Sequence, residues 1–154
     1  MTHVNAMSPQ PARHLRDAYL AFRTIPTRWM DNDIYAHVNN VVYYSFFDTA
    51  VNGYLLDKRV LDLESSAAIG LVVETGCRYF EPVAFPDVVH AGLRVAQIGR
   101  SSVRYEIGLF RNDAVQAAAQ GHFVHVYVDR AQRRPMDLPA RLRETLLELI
   151  VSDI

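Results

Sequence analysis

In the stretch "RWMDNDIYAHVNNVVYYSFFDTA", Asp31 and Asp33 stand two residues apart in a short polar loop. The loop runs through His37, Val38, Asn39 and Asn40 into a long aromatic and aliphatic run. A carboxylate is a base or a nucleophile. The first N–H groups of a helix lack intrahelical partners, and the helix dipole favours negative charge there. A loop ending at a helix start therefore sets a carboxylate beside donors for a developing oxyanion. The same residue types also serve structure. Loop aspartates make Asx turns, and Asn39 or Asn40 is a good N-cap. Asp31 reads as a fastening of this kind, bonding loop amides.

Other candidate chemistry fails on spacing. His122 and His125 are three apart on a strand-like run, so they point to opposite faces and cannot chelate one metal. No Cys or His cluster has zinc spacing. The stretch "GRSSV" lacks the second glycine of a nucleophile elbow, and no Gly-rich phosphate loop is present. Cys77, the single cysteine, reads as a core residue.

The elements that must position the loop follow from periodicity. "YLAFRTIPTRW" reads as a strand whose proline favours a sheet edge. "NVVYYSFFDTAVNGYLLDKRV" carries Ser45, Asp48, Thr49 and Asn52 at helical spacing, a narrow polar stripe on an otherwise apolar cylinder. That pattern predicts a buried helix, held by burial more than by local preference. Four runs with period two follow. Leu71, Val73, Thr75, Cys77 and Tyr79 are expected to share one face of the first, and Val89, Ala91, Leu93 and Val95 one face of the second. In the third, Val103, Tyr105, Ile107 and Leu109 oppose Arg104 and Glu106. In the last, Phe123, His125 and Tyr127 oppose Val124, Val126 and Val128. Short turn-like links make these hairpins, and "LPARLRETLLELIVSDI" predicts a terminal helix. The order is β-α-β-β-β-β with a C-terminal helix: an α+β class with an antiparallel sheet wrapped around a long central helix.

Composition bounds the rest. A chain of 154 residues, half hydrophobic and 21% charged, can bury one core. Residues 1–18 are expected to form a flexible arm and 19–154 a single domain. Net charge is −1, which offers no electrostatic case for nucleic acid or an anionic membrane. One cysteine and no leader-like or membrane-length apolar stretch point to a cytoplasmic protein. The central helix has more apolar surface than one sheet face covers, so a homodimer is expected, assembling further to a tetramer.

The pattern Asp-x-Asp-x-x-Gly-His-Val-Asn-Asn before a Tyr-bearing helix stands here as "DNDIYAHVNNVVYYSFFD". It resembles the hotdog-fold acyl-CoA thioesterases of the hydroxybenzoyl-CoA thioesterase type. "YFEPVAFPDVV", "IGRSSV" and "HVYVD" follow in the order that family has them, so the likeness runs from about Phe22 to Pro139. The resemblance implies a hotdog fold, Asp33 as the catalytic carboxylate and the backbone N–H near Asn40 as the group that polarises a thioester carbonyl. Whether Asp33 activates water or attacks directly stays open. Ala36 stands where relatives carry glycine. If that position needs positive φ, alanine costs something like 1 kcal/mol.

Secondary candidates are His37, toward the acyl carbonyl or as a loop fastening, and Asp48, a helix carboxylate or an inter-subunit contact. Tyr43 would line an acyl pocket or pack in the core. Arg100, Ser101 and Ser102 would hold coenzyme A phosphates, or form a solvated hairpin tip. The substrate is expected to be a fatty or aryl acyl-CoA, or an acyl group on carrier protein, with no metal and no cofactor beyond the coenzyme A of the substrate. A non-catalytic acyl-CoA or carrier-protein binding module and a hotdog hydratase or dehydratase are the alternative readings.

Overall fold

The computed structural model describes residues 12–151. The elements are β1 (Ala21–Pro26), α1 (Val42–Asp57), β2 (Ala68–Tyr79), β3 (Val88–Ile98), β4 (Ser102–Arg111), β5 (Ala119–Asp129) and α2 (Ala140–Leu147), with short 3-10 turns at Arg16–Ala18 and Trp29–Asp31. The strands form one antiparallel sheet in the order β1-β3-β4-β5-β2. Consecutive strands β3, β4 and β5 pair as hairpins. Pro26 ends β1 at one edge, where its missing N–H costs no ladder bond.

The sheet lays one face on α1. Val89, Ala91, Leu93 and Val95 of β3 are buried there, with Val103, Tyr105, Ile107 and Leu109 of β4. They pack against Phe46, Phe47, Ala50, Val51 and Leu55 of the helix. Phe47 rests over Gly121 so closely that a Cβ at that glycine would overlap the ring. The missing side chain lets the helix approach the sheet. Ser45, Asp48 and Thr49 form the exposed stripe of α1, where Thr49 donates to the Ser45 carbonyl and Asn52 to that of Asp48. Helix α2 closes one end through Leu142 and Leu146, and Val95 N–H donates to the Leu149 carbonyl beyond it at 2.8 Å.

Three expectations change. The link from β2 to β3 is not a hairpin, because β2 pairs with β5 at the far edge while β3 lies between β1 and β4. The period-two reading of β2 slips at a bulge, where Val72 pairs His125 but Glu74 pairs Val124. The extra residue reverses the face. Leu71 therefore lies on the side opposite Thr75, Cys77 and Tyr79. Residues 12–18, expected within a loose arm, are instead pinned to the β4–β5 connection and to β5. His14 N–H donates to Gln120 Oε1 at 2.6 Å and Arg16 to the Ala114 carbonyl at 2.8 Å. Residues 1–11 of that arm and the last three of the terminal segment lie outside the described residues.

His125 is 3% exposed on the inner face of β5, between Tyr105, Phe123 and Tyr127. Neither ring nitrogen has a hydrogen-bond partner among the described residues, whereas the Tyr105 and Tyr127 hydroxyls bond each other at 2.7 Å. Desolvation pushes its pKa down from 6.5 to about 4. A depressed histidine pKa means that the unfolded chain binds the proton first. Stability should therefore be full above pH 6.5 and fall as pH drops toward 4, by up to roughly 3 kcal/mol. His125→Phe should flatten that part of the urea-unfolding profile; an unchanged profile in the variant would refute the assignment.

Candidate active site

The loop before α1 is tied down from both ends. Asp31, 2% exposed, accepts the Arg28 N–H at 2.7 Å through Oδ2 and the Arg28 guanidinium at 2.9 and 3.1 Å through Oδ1. Its own carbonyl accepts Asn39 N–H at 2.8 Å. Val38 N–H reaches across to the Val83 carbonyl at 2.7 Å, and Phe85 N–H to Asn32 Oδ1 at 3.0 Å. The 82–86 segment and the 31–39 loop thus hold each other.

Between these anchors the chain makes a tight reversal. Asp33 N–H donates to the His37 carbonyl at 2.9 Å, and Ala36 N–H to the Asp33 carbonyl at 3.1 Å. Ala36 carries φ 62°, the left-handed region that its sequence position puts in question. Asp33 Oδ1 accepts Tyr35 N–H at 2.8 Å, an Asx turn that orients the carboxylate. Oδ2 has no donor among the described residues. His37 fastens the loop through its carbonyl while its imidazole lines the adjacent cleft.

At the start of α1 the side chain of Asn39 does the capping. Its Oδ1 accepts Val41 N–H at 3.1 Å and its carbonyl accepts Val42 N–H at 2.9 Å. The regular helix begins only at Val42, so Asn39 and Asn40 lie in the turn that leads into it. Asn40 N–H has no acceptor among the described residues. Asn40 lines a cleft of about 540 Å³ together with Asp33, His37, Tyr43, Tyr79 and Phe80. That volume lies within the range of small-molecule sites. Tyr43, 3% exposed, forms its inner wall and packs edge-on against Tyr79 at 4.8 Å. Asp33, with one carboxylate oxygen unpaired, and Asn40, with its N–H unpaired, thus line one cleft with an aromatic wall.

The structure does not bring the remaining candidates there. Asp48 lies on the exposed stripe of α1, away from the cleft lining; partial burial raises its carboxyl pKa. Arg100, Ser101 and Ser102 occupy the β3–β4 turn, at the other end of a strand roughly 33 Å long by its 11 residues. There Arg100 pairs with Asp137, and the carbonyls of Arg100 and Ser101 accept Leu138 N–H and Tyr127 N–H. Another hollow, of about 730 Å³, is lined by His14, Arg78, Arg94, Arg104, Glu106 and His122; there Arg94 pairs with Glu106 at 2.9 Å, and His122 bonds Glu74 at 3.1 Å. Tyr79 and Phe80 have no role in the sequence reading. The "YFEP" stretch was the signal for them, standing where β2 ends beside the loop. Among the described residues no group of three or more His, Cys, Asp or Glu side chains could hold a metal ion, and no helix is long and apolar enough to cross a membrane.

An antiparallel sheet laid on one long helix is the hotdog fold. The Thioesterase-like superfamily matches residues 27–146, and the chain belongs to that family. It is a thioester hydrolase. Among solved structures it is similar to the PA5185 protein of Pseudomonas aeruginosa, at 54% identity and a TM-score of 0.89, over 92% of this chain and 99% of that one. It is similar also to a Thermus thermophilus thioesterase solved with coenzyme A and zinc, at 31% identity and a TM-score of 0.70, over 83% of this chain and 92% of the other. A 1,4-dihydroxy-2-naphthoyl-CoA thioesterase from Synechocystis, 16% identical, shares the fold over 83% of this chain and 96% of its own, with a TM-score of 0.75. A search of curated proteins finds no match.

The left-handed Ala36 is a testable cost. Ala36→Gly should relieve up to about 1 kcal/mol of strain. Scanning calorimetry should then show the melting temperature rise by about 2–4 °C for a chain of this size. A fall would mean that the reversal tolerates a Cβ without strain.

Proposed function

We propose that the protein hydrolyses acyl-CoA thioesters, with Asp33 as general base and the Asn40 N–H as oxyanion donor. The observation that supports this reading is that Asp33 and Asn40 line one cleft, while Asp33 Oδ2 and the Asn40 N–H have no partners among the described residues. Asp33 takes a proton from water as the water oxygen attacks the thioester carbon. The carbonyl electrons move onto oxygen, where Asn40 N–H and the start of α1 meet the charge. On collapse the C–S bond breaks and its electron pair leaves on sulfur as thiolate. A thiolate is a good leaving group, so the scheme asks for no strong general acid, no metal and no separate cofactor.

The aromatic wall of Tyr43, Tyr79 and Phe80 supports an apolar acyl group, fatty or aryl. His37 is placed to meet the polar end of the thioester. Asp48 is left to the helix surface or an inter-subunit contact.

A homodimer is part of the reading. β2 is an edge strand of 12 residues with Leu71, Val72 and Val73 exposed, a template for pairing with a second copy. Two-fold pairing along β2 inverts the partner, which carries its 99–102 turn to the end of the sheet where this protomer holds Asp33. Arg100, Ser101 and Ser102 would then serve the coenzyme A bound in the other subunit's cleft, although within one protomer they are remote from it. The bound coenzyme A of the Thermus thermophilus relative is consistent with that carrier; an acyl carrier protein presents the same pantetheine arm. The single reduced-type cysteine fits a cytoplasmic setting.

Thiol release from acetyl-, octanoyl-, palmitoyl- and benzoyl-CoA tests the chemistry. Asp33→Asn should lower kcat by about 10²–10⁴-fold while binding persists. Retained turnover would remove Asp33 from the mechanism; binding without turnover in the wild type would favour a binding module. Light scattering at micromolar concentration should give no monomer, and a stable monomer would defeat the β2 pairing.

A further inference from the structure

We infer that Tyr79 is a positioning residue for the oxyanion donor, holding the first turn of the α1 entry through its hydroxyl. The inference rests on the reading of Asn40 N–H as that donor.

Tyr79 is the last residue of β2, and its hydroxyl donates to the Asn40 carbonyl at 3.0 Å. That carbonyl is poorly held by the helix itself, since Tyr43 N–H reaches it only at 3.4 Å. The next peptide N–H, of Val41, is taken by Asn39 Oδ1, and the preceding residue is tied by Asn39 N–H to the Asp31 carbonyl at 2.8 Å. Asn40 is thus clamped on its N-terminal side by the 31–39 loop and on its C-terminal side by Tyr79. Its own N–H has no acceptor among the described residues, and Asn40 lines the cleft. The clamp joins three elements: the loop, the helix start and the end of β2.

A donor that stabilises an oxyanion must be fixed before the charge appears, because reorientation during the reaction costs the energy the bond would return. The peptide that carries the Asn40 N–H is held at its Asn39 carbonyl by Val42 N–H at 2.9 Å, but the Asn40 carbonyl that follows has only the long bond from Tyr43 within the turn. Tyr79 supplies the missing constraint, and its ring is in turn braced edge-on by Tyr43. Partial burial, then the neighbouring Cys77 and Tyr44 side chains, holds the phenol pKa above its ordinary range, so the hydroxyl remains a donor across the working pH.

Tyr79→Phe keeps the ring and removes only the hydroxyl. Tyr79 is 44% exposed on an edge strand, so the fold should survive. With the best substrate of the thiol-release panel, kcat should fall by roughly 10-fold with KM changed less than about 2-fold. The second readout is carbonyl polarisation. The same acyl-CoA, labelled with ¹³C at the carbonyl, is bound to Asp33→Asn and to Asp33→Asn/Tyr79→Phe, and the C=O stretch is compared by difference infrared spectroscopy. The stretch should move back toward its free value when the hydroxyl is lost. An unchanged stretch, or a loss carried by KM alone, would overturn the inference. Full activity of Asp33→Asn would instead strike the functional reading itself, so the two failures are distinguishable.

Discussion

A helix start can polarise a carbonyl only if one of its N–H groups is left without a protein acceptor and is nevertheless held still. Those demands oppose each other, because the usual way to fix a backbone N–H is to bond it. On the proposed reading, this protein resolves the conflict by bonding the groups around the Asn40 N–H. Asn39 spends its side chain on Val41 and its own N–H on Asp31. Val38 is tied to Val83, and the Asn40 carbonyl to Tyr79. The Asn40 N–H is then a gap in an otherwise satisfied network, and its direction is set by its neighbours.

The rest of the fold serves that gap. The buried Asp31 neutralises and orders Arg28 and so sets where the loop begins. The sheet holds α1 close through the Gly121 contact with Phe47, which sets the depth of the helix and with it the height of its first turn over the end of β2. The loop reversal through Ala36 places Asp33 with one oxygen spent on Tyr35 N–H and the other free. Elsewhere acidic groups are consumed: Glu74 by His122 and Arg104, Glu106 by Arg94, Asp57 by Arg23. Asp33 differs from these by lacking a cationic partner while facing a cleft, the condition under which a carboxylate is available as a base.

The edge of β2 places a second constraint on the molecule. Its bulge at Val73 turns the strand's faces over partway along, so that apolar residues appear on both sides of an unpaired edge. An unpaired edge with exposed apolar residues is a template for a second strand. This is the same strand that ends in Tyr79, so the element that would join two subunits also braces the site. On the proposed reading, quaternary pairing and site geometry share one piece of backbone.

Much of this was legible from residue order. Period two marked β3, β4 and β5 with their buried faces, the inverted polar stripe marked α1, and Pro26 marked an edge, because these signals depend on neighbours a few residues away in the chain. The left-handed conformation at Ala36 could be posed as a question from one substituted position in a recognised pattern. What sequence could not carry was anything set by partners distant along the chain. The bulge at Val73 depends on register against β5, residues 12–18 are held by Gln120 and Ala114, and the Tyr79 hydroxyl finds Asn40 across 39 positions. Local chemistry put forward the carboxylate and the helix start as candidates. Only the packing of β2 against the entry of α1 decided which N–H would be left free and what would hold it, because a hydrogen bond between remote segments is a property of the fold and not of either segment.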